Sequence, residues 1–252
     1  MVKYKGFSVI GVVAAVAVVA FIGIATFLVI DGNSKITDYS SYDFSSAIAP
    51  DIHNGNIGDH VKGNPDAKTV IVEYADFQCP GCASMNIRVN AAVEKSEGKL
   101  AVVYRNYILS YHQNGTAATS AAEAAGIQGY WKPYADLLFK NQADWEYASA
   151  SERTTLFNQY FMEASNGQGD LEKFNSDLAS KEVSQKISFD MAIGKRVGIS
   201  GTPAFYVDGQ FIDWGNSKGG SVTVNGKTIN WESALSGEQF QELLLNIAKL
   251  KD

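Results

Sequence analysis

The stretch FQCPGC, residues 77–82, decides how this chain folds, because it contains both of the protein's cysteines. The β-branched run Thr69–Tyr74 comes just before it and predicts a strand. Met85, Val89 and Val93 follow it at helical spacing. The cysteines therefore lie where a strand ends and a helix begins. Free N–H groups and the helix macrodipole favour negative charge at that point, so a thiol there ionises more easily.

A CxxC pair fits three roles: a redox-active dithiol, a structural disulfide or part of a metal site. A disulfide across so short a loop restricts the unfolded chain by only about 2 kcal/mol. A zinc cage needs four ligands, and the three histidines of the chain, His53, His60 and His112, are scattered. We favour the redox-active dithiol without a metal, and the structural and metal-handling roles remain as alternatives.

The composition is that of a globular protein with one strongly apolar segment. Hydrophobic residues make up 46% of the chain, and the net charge is −6. Nucleic-acid binding needs clustered Lys and Arg. The acidic balance therefore argues against a nucleic-acid partner, and equally against a basic patch that would lie on a membrane surface.

Residues 1–30 predict a cytoplasmic stub and a membrane anchor. Phe7–Ile30 carries no charge, and as a helix it would be about 36 Å long, enough to cross a ~30 Å hydrocarbon core. This run is longer than the apolar part of a cleaved signal peptide. Lys3 and Lys5 are expected to stay in the cytoplasm, which places the rest of the chain outside a single-pass helix in the cell membrane. That compartment permits disulfides.

Residues 59–252 predict one folded domain, which follows an extracytoplasmic linker over residues 31–58 that is rich in Ser, Asp, Asn and Gly. The apolar pattern gives the order β-α-β, a block of helices at about residues 110–190, and then β-β-α with an extra hairpin before the last helix. After the first helix the pattern predicts a strand at Leu100–Tyr107 and then helices at about Thr116–Gly126, Trp131–Lys140, Ser151–Ala164 and Leu171–Leu178. A long helix follows at Glu182–Val197, with Val183, Ile187 and Met191 on one apolar face. The last predicted elements are strands at Ala204–Val207 and Gln210–Ile212, a hairpin at Ser221–Asn230 that turns at Asn225-Gly226, and a helix at Gly237–Leu250.

This order resembles the thioredoxin fold with a helical insertion that is found in the DsbA-type thiol–disulfide oxidoreductases. Within them it is most similar to the membrane-anchored, BdbD-like group of Gram-positive bacteria. The resemblance covers about residues 59–252 and rests on four pieces in the right order: EYADFQCPGC (73–82), AAEAAGIQGYW (121–131), LLFKNQADW (137–145) and VGISGTPAFYVDGQ (197–210). The expected fold class is therefore α/β: a thioredoxin-like fold with an inserted α-helical subdomain, preceded by one transmembrane helix.

The resemblance implies a role for each residue of the redox turn. Cys79, at the exposed end of the helix, is the expected nucleophile, and Cys82, one turn further in, is the expected buried resolving cysteine. Thr202-Pro203 matches the family's loop with a cis proline, which faces the cysteines. The substrate is expected to contact this loop together with Pro80 and Gly81. Pro80 also suits the first turn of a helix, where its missing N–H costs nothing.

Two further residues draw attention because relatives carry similar groups at these positions. Glu73 lies where family members have a buried acid, and it is the one charge in its strand. A buried carboxylate can pass a proton to or from Cys82, whereas the alternative is a carboxylate at the strand end that reaches solvent. His112 follows the second strand, but the usual neighbouring proline is absent. We interpret His112 as a structural or surface residue.

The chain departs from strongly oxidising relatives between the two cysteines. Those relatives often have Pro-His there, whereas this chain has Pro80-Gly81. Stabilisation of the thiolate is then expected to come from the helix terminus and its backbone N–H groups alone. The expected pKa of Cys79 lies between about 3.5 and 7.

The function implied by the resemblance is that of a membrane-tethered enzyme that introduces disulfides into exported, thiol-containing proteins through its Cys79–Cys82 pair. It would need no cofactor, and a membrane partner of the DsbB or VKOR type would reoxidise it. The alternatives are an extracytoplasmic disulfide reductase or isomerase, and a non-catalytic module of the same fold that binds metal or peptide. No role is assigned to the hairpin at residues 213–230.

Overall fold

The computed structural model describes residues 39–251. The apolar run Phe7–Ile30, for which we predict a transmembrane helix, lies outside the described residues. Within residues 39–251, no helix is both long and apolar enough to cross a membrane. The folded unit comprises Tyr42–Asp252, and a short 3-10 helix at Tyr39–Ser41 precedes it.

A five-stranded mixed sheet forms the centre of the folded unit. Its strands are β1 (His60–Gly63), β2 (Thr69–Ala75), β3 (Leu100–Asn106), β4 (Ala204–Val207) and β5 (Gln210–Phe211), in the spatial order β1-β3-β2-β4-β5. Strands β2 and β3 run parallel, and the other neighbours pair antiparallel. Both central strands are buried along nearly their whole length, as expected for parallel strands rich in Val and Ile. Because β2 ends just before the redox turn, this buried pair of strands fixes the position of the cysteines.

Eight helices surround the sheet in the described part of the chain. They are α1 (Pro80–Lys95), α2 (Gly115–Ile127), α3 (Trp131–Lys140), α4 (Gln142–Trp145), α5 (Ala150–Ala164), α6 (Leu171–Asp177), α7 (Lys181–Arg196) and α8 (Gly237–Leu250). Helix α1 begins at Pro80, with Cys79 as its N-cap residue in an extended conformation. Helices α2 to α7 lie between β3 and β4 in the chain, so the predicted helical insertion is present.

The apolar side chains form two clusters. One lies beneath the redox turn and extends into the helical insertion, where the alanines of α2 allow close packing against residues such as Phe77, Tyr104, Trp145, Phe161 and Phe174. The other joins the sheet to α1 and α8 and includes Ile71, Val102, Phe205, Phe240 and Leu244. The redox turn lies at the edge of the first cluster, to which both cysteines belong.

Both predicted hairpin turns are confirmed. Asp208 and Gly209 have φ values of 49° and 75°, and Asn225 and Gly226 have 49° and 71°. Positive φ at both central residues is the pattern of the type I′ turns that join antiparallel strands. The second turn connects β6 (Gly220–Val224) and β7 (Lys227–Trp231), which form a separate two-stranded sheet that covers the second apolar cluster.

Residues 42–58 belong to the folded unit, so this part of the linker predicted over residues 31–58 is not a tether. Arg105 of β3 fixes this segment, because its guanidinium donates hydrogen bonds to the carbonyl oxygens of Phe44 at 2.9 Å and Ser46 at 2.7 Å. A segment of Ser, Asp and Asn gives no periodic signal. Its order comes from a buried cation in a distant strand.

A buried group of charges, here called the ion cluster, connects β3, α7 and the residue before β1, and is formed by Asp59, Arg105, Lys186 and Asp190. Lys186 Nζ lies 2.7 Å from Asp59 Oδ1 and 2.8 Å from Asp190 Oδ1. Arg105 Nη2 lies 2.9 Å from Asp59 Oδ2. All four side chains are fully or almost fully buried, so each charge is stabilised by its partners rather than by water.

The ion cluster also changes the inner face of α7. The sequence pattern places Val183, Ile187 and Met191 inward, but Ile187 and Met191 are only partly buried. The buried side chains are Val183, Lys186, Phe189, Asp190 and Ile193. The buried face of the helix therefore includes the charged residues Lys186 and Asp190, which a rule based on apolar residues alone does not predict.

Candidate active site

Cys79 lies at the N-terminus of α1 beneath the loop that contains Pro203. Its thiol donates a hydrogen bond to the carbonyl oxygen of Thr202 at 3.3 Å, and the residue is only 7% exposed, which is less than its expected position implies. The hydrogen bond from the Cys82 thiol is the largest cause that lowers the pKa of Cys79 to about 5, while burial opposes the shift. Backbone N–H groups of α1 contribute less. The value lies in the expected interval, but the neighbouring thiol, not the backbone alone, stabilises the thiolate.

Cys82 has the opposite character. It is fully buried, and burial raises the pKa of its thiol, which the neighbouring Cys79 raises further. The backbone N–H of Asp76 donates a hydrogen bond to Cys82 Sγ at 3.5 Å. Both cysteines are free thiols. The pair therefore combines one sulfur that ionises near pH 5 with one that stays protonated.

The loop opposite the cysteines has the predicted conformation, because the Thr202–Pro203 peptide bond is cis. This loop lies close to Gly81, where an added Cβ atom would be 3.2 Å from Pro203 Cδ and 3.6 Å from Cys79 Sγ. The absence of a side chain at position 81 therefore allows the loop to approach the nucleophilic sulfur.

Side-chain amides connect the redox turn to the helical insertion. Gln142 of α4 donates a hydrogen bond to the carbonyl oxygen of Cys79 at 3.1 Å. Gln78 donates to the carbonyl oxygen of Glu146 and accepts from the backbone N–H of Asn114, both at 2.7 Å. The insertion thus holds the backbone of the redox turn from the side. The sequence pieces that carry the resemblance include Gln78 and Gln142, but nothing in their pattern shows these contacts.

Glu73 is fully buried, so the alternative of a carboxylate that reaches solvent is wrong. Its partner is Lys62 of β1, whose Nζ lies 3.3 Å from Glu73 Oε2 and donates to Asn86 Oδ1 at 2.9 Å. Glu73 Oε1 and the hydroxyl of Tyr104, which lies opposite Glu73 in β3, have no hydrogen-bond partner among the described residues. Burial raises the pKa of Tyr104, and the charges of Cys82 and Glu73 raise it further.

His112 lies in the site rather than on the surface. Its Nδ1 is 2.7 Å from Asp76 Oδ2, and its side chain is 11% exposed. The Asp76 carboxylate also accepts hydrogen bonds from the backbone N–H groups of Gln78 at 2.9 Å and Leu109 at 2.8 Å. An Asp that caps the amide two residues later forms an Asx turn. That signal was present in the sequence, but Asp76 was not among the predicted site residues.

The fold and the site together define a class of protein. A thioredoxin-type sheet carries a CxxC pair at the start of its first long helix, with a cis proline facing the outer cysteine. This is the arrangement of the DsbA-type thiol–disulfide oxidoreductases. The sequence profile described as Thioredoxin matches residues 55–243. The chain belongs to this thioredoxin family.

Several solved structures have the same fold. BdbD of Bacillus subtilis in its oxidised form superimposes with a TM-score of 0.57 at 18% sequence identity, over 82% of this chain and all of that one. The α-DsbA1 of Wolbachia pipientis has a TM-score of 0.55 at 20% identity, over 77% of this chain and 92% of its own. A thioredoxin-like oxidoreductase of Silicibacter pomeroyi has a TM-score of 0.54 at 22% identity, over 76% of this chain and 92% of its own. At these identities the likeness is one of fold.

Among curated proteins the similarity is to part of larger membrane proteins. The chain is 31% identical over 185 residues to the Na⁺/H⁺ antiporter NhaA of Herminiimonas arsenicoxydans, which is 73% of this chain but 27% of the antiporter. It is 32% identical over 157 residues to NhaA 1 of Salinispora arenicola, of which it covers 22%. The chain thus spans about a quarter of the length of these relatives, and ion transport is not carried over from them.

Proposed function

We propose that this protein is a disulfide oxidase that transfers its Cys79–Cys82 disulfide to thiol-containing exported proteins. The contrast between its two sulfurs supports this direction best. The pKa of Cys79 is about 5, so its thiolate is stabilised at neutral pH, whereas the Cys82 thiol stays protonated. Stabilising the reduced form makes a disulfide more oxidising, as in DsbA.

The exchange would proceed in two steps. A substrate thiolate attacks Cys79 Sγ, the Cys79–Cys82 bond breaks, and Cys82 leaves and takes up a proton. A second substrate thiolate then attacks the substrate sulfur of the mixed disulfide and releases Cys79 as a thiolate. The low pKa of Cys79 makes it a good leaving group in this second step. Glu73, buried beside Tyr104, would exchange the proton that Cys82 gains or loses.

The substrate would lie along the cis-proline loop. In this fold the backbone of Thr202 can pair with an extended peptide, which gives affinity without sequence specificity. Pro203, Pro80 and Gly81 would form the surface around the exchanged sulfur. A cleft of about 390 Å³ continues from this loop past Phe211 and Trp214, and Phe211 is 49% exposed. These aromatic rings would favour apolar residues near the substrate cysteine.

Membrane anchorage is part of the proposal and rests on the sequence of Phe7–Ile30. The anchor would hold the catalytic domain outside the cell membrane, close to a reoxidising partner of the DsbB or VKOR type. Full-length protein should stay with membranes after an alkaline carbonate wash. Its release into the soluble fraction would contradict the anchor without affecting the proposed chemistry.

The decisive experiment for the function measures the redox potential and the transfer of the disulfide. Oxidised protein mixed with a reduced, unfolded two-cysteine polypeptide should yield oxidised polypeptide and one equivalent of protein dithiol. Equilibration with glutathione should give a potential well above about −270 mV, the value for thioredoxin. A potential near that of thioredoxin would favour the reductase alternative. Stoichiometric metal binding by the reduced protein, without dithiol exchange, would favour the non-catalytic module.

A further inference from the structure

Asp76 uses all of its backbone polar groups to hold the redox turn. Its N–H donates to Cys82 Sγ at 3.5 Å, and its carbonyl oxygen accepts from the N–H of Cys79 at 3.0 Å. Its Oδ1 accepts from the N–H of Gln78 at 2.9 Å. The residue is fully buried. A displacement of Asp76 would therefore move the donor that reaches the inner sulfur.

The carboxylate of Asp76 is held from its other side by the chain that follows β3. Oδ2 accepts from the N–H of Leu109 at 2.8 Å and lies 2.7 Å from His112 Nδ1. Gly115, the first residue of α2, approaches so closely that a Cβ atom there would be 3.0 Å from Asp76 Oδ1. The start of a helix favours a nearby negative charge. Asp76 is thus held by two hydrogen bonds from outside the redox turn, and Gly115 leaves room for its carboxylate.

The Asp76 N–H is the backbone donor that favours the thiolate of Cys82. Burial raises the pKa of Cys82, whereas the hydrogen bond from the Asp76 N–H works in the opposite direction and favours its thiolate. Cys82 must become a thiolate whenever it attacks a mixed disulfide on Cys79. The alignment of one backbone N–H therefore affects the resolving step directly.

We propose that Asp76 and His112 are positioning residues for the resolving cysteine: His112 holds the Asp76 carboxylate, which fixes the Asp76 N–H against Cys82 Sγ. The inference rests on the proposed function, since it concerns the second half of the exchange. It assigns to His112 a larger effect on Cys82 than on Cys79, because the Asp76 N–H donates to the Cys82 sulfur itself, whereas the hydrogen bond from Cys79 to the Asp76 carbonyl oxygen uses the backbone N–H of Cys79.

Oxidation of the reduced protein by glutathione disulfide separates the step of Cys79 from the step of Cys82. The Cys79 thiolate first attacks glutathione disulfide, forms a Cys79–glutathione disulfide and releases one glutathione thiolate. Cys82 then loses its proton and attacks Cys79 Sγ, which forms the Cys79–Cys82 bond and releases the second glutathione thiolate. The first step is bimolecular and first order in glutathione disulfide, whereas the second is unimolecular. The observed rate of disulfide formation is measured by acid quench and plotted against the concentration of glutathione disulfide. Its slope at low concentration reports the attack by Cys79, and its plateau at high concentration reports the attack by Cys82.

The test compares His112→Ala with His112→Asn. The alanine removes the contact to Asp76, so the plateau should fall about fivefold to tenfold, as expected for one hydrogen bond, while the slope stays the same. The asparagine can place its Nδ2 near the position of the lost Nδ1 and should restore most of the plateau. The ultraviolet titration of the Cys79 thiolate should be unchanged in both variants. If His112→Ala does not fold, Asp76→Asn should lower the plateau selectively in its place.

His60→Ala is the matched control. His60 Nε2 lies 2.8 Å from Glu123 Oε2, a pair of nearly the same length, but its contacts are Glu123 and Trp131 rather than the redox turn. This variant should leave slope and plateau unchanged. An unchanged plateau in His112→Ala, or an equal fall in slope and plateau, would overturn the inference while the proposed function stands. No reaction of the unmodified protein with glutathione disulfide would overturn the function and the inference together.

Discussion

The redox site and the ion cluster lie in the same folded unit and are both buried, but they differ in how completely their polar groups are paired. In the ion cluster each charged group meets an opposite charge within 2.9 Å. The carboxylates of Asp190 and Asp59 raise the pKa of Lys186 although burial lowers it, and burial raises the pKa of Asp190 to about 6. The cluster fastens helix α7 and the segment before β1 onto the sheet.

The redox site contains buried polar atoms that form no hydrogen bond among the described residues. Glu73 Oε1 and the Tyr104 hydroxyl are buried without a hydrogen-bond partner among the described residues. The pKa of the Cys79 thiol is lowered, whereas the pKa of the Cys82 thiol is raised. Groups that are fully paired resist change, whereas groups with spare capacity can gain or lose a proton during a reaction. We therefore expect a structural role for the ion cluster and a chemical role for the redox site.

The largest effect is expected from the cysteines themselves. Cys82→Ala should trap substrate proteins as mixed disulfides on Cys79, because the thiol that would release them is missing. Cys79→Ala should trap almost none, because Cys82 is fully buried. Non-reducing gels of cells that express each variant measure the adducts, and a reduced sample is the control. Equal trapping by the two variants would reverse or remove the proposed division of roles.

The next effect separates stability from chemistry. Lys186→Met leaves the Asp59 and Asp190 carboxylates buried without their shared cation, so the free energy of unfolding should fall by about 3–5 kcal/mol. The pKa of Cys79 and its rate of exchange should not change in the protein that remains folded. Urea unfolding and thiol titration of the same preparation measure both quantities.

Glu73→Gln is the counterpart in the redox site. Its amide oxygen can still accept from Lys62, so the loss of stability should be smaller than for Lys186→Met. The step in which Cys82 exchanges its proton should slow by about tenfold or more, and its pH dependence should change. If Lys186→Met slows exchange as much as Glu73→Gln does, the division into a structural and a chemical region is wrong.

The sequence predicts the parts of the fold that depend on local patterns. The β-branched run before the cysteines gives β2, the CPGC turn gives the start of α1, and Asp208-Gly209 and Asn225-Gly226 give the two hairpins. Each of these signals lies within about ten residues of the element that it specifies. The predicted cis proline came from the resemblance, since an X-Pro bond alone favours trans.

The missed parts depend on partners that are distant in sequence. Strand β1 contains His60 and Lys62, which make it appear polar, and Lys62 is buried only because Glu73 pairs with it. Asp59 and Lys186 are 127 positions apart. Such pairs satisfy each other only after the chain has folded, so no periodic rule detects either residue. The contact between His112 and Asp76 was missed for the same reason.

The pH dependence of Cys79 tests whether the redox site is tuned as described. Its pKa of about 5 lies below the ordinary thiol value of 9.0, so its rate of alkylation should rise with a midpoint near pH 5. A lowered pKa stabilises the reduced protein fully above pH 9 and progressively less as pH falls towards 5. The free energy of unfolding of the reduced protein should therefore rise between pH 5 and 9 relative to that of the oxidised protein, which has no titrating thiol.

Two variants at position 82 serve as controls for that titration. Cys82→Ala removes the donor that contributes most to the low pKa of Cys79, so the midpoint should move upward. Cys82→Ser keeps a hydroxyl donor and should hold the midpoint closer to pH 5. The same midpoint in both variants would show that another group stabilises the thiolate.

The smallest effect concerns the residue between the proline and the inner cysteine. An added Cβ at Gly81 would lie 3.2 Å from Pro203 Cδ, so Gly81→Ala requires a shift of a few tenths of an ångström in the cis-proline loop and brings no charge. Gly81→His adds the same Cβ and an imidazole that is mostly protonated near pH 5. An exposed pair of opposite charges is worth roughly 0.2–1 kcal/mol, so the pKa of Cys79 should fall by about 0.1–0.7 units relative to the alanine variant. Thiol titration and equilibration with glutathione measure the change, and the disulfide should become correspondingly more oxidising. Equal pKa values in the alanine and histidine variants would mean that the Cys82 hydrogen bond already dominates the site and that an added charge is screened from the sulfur.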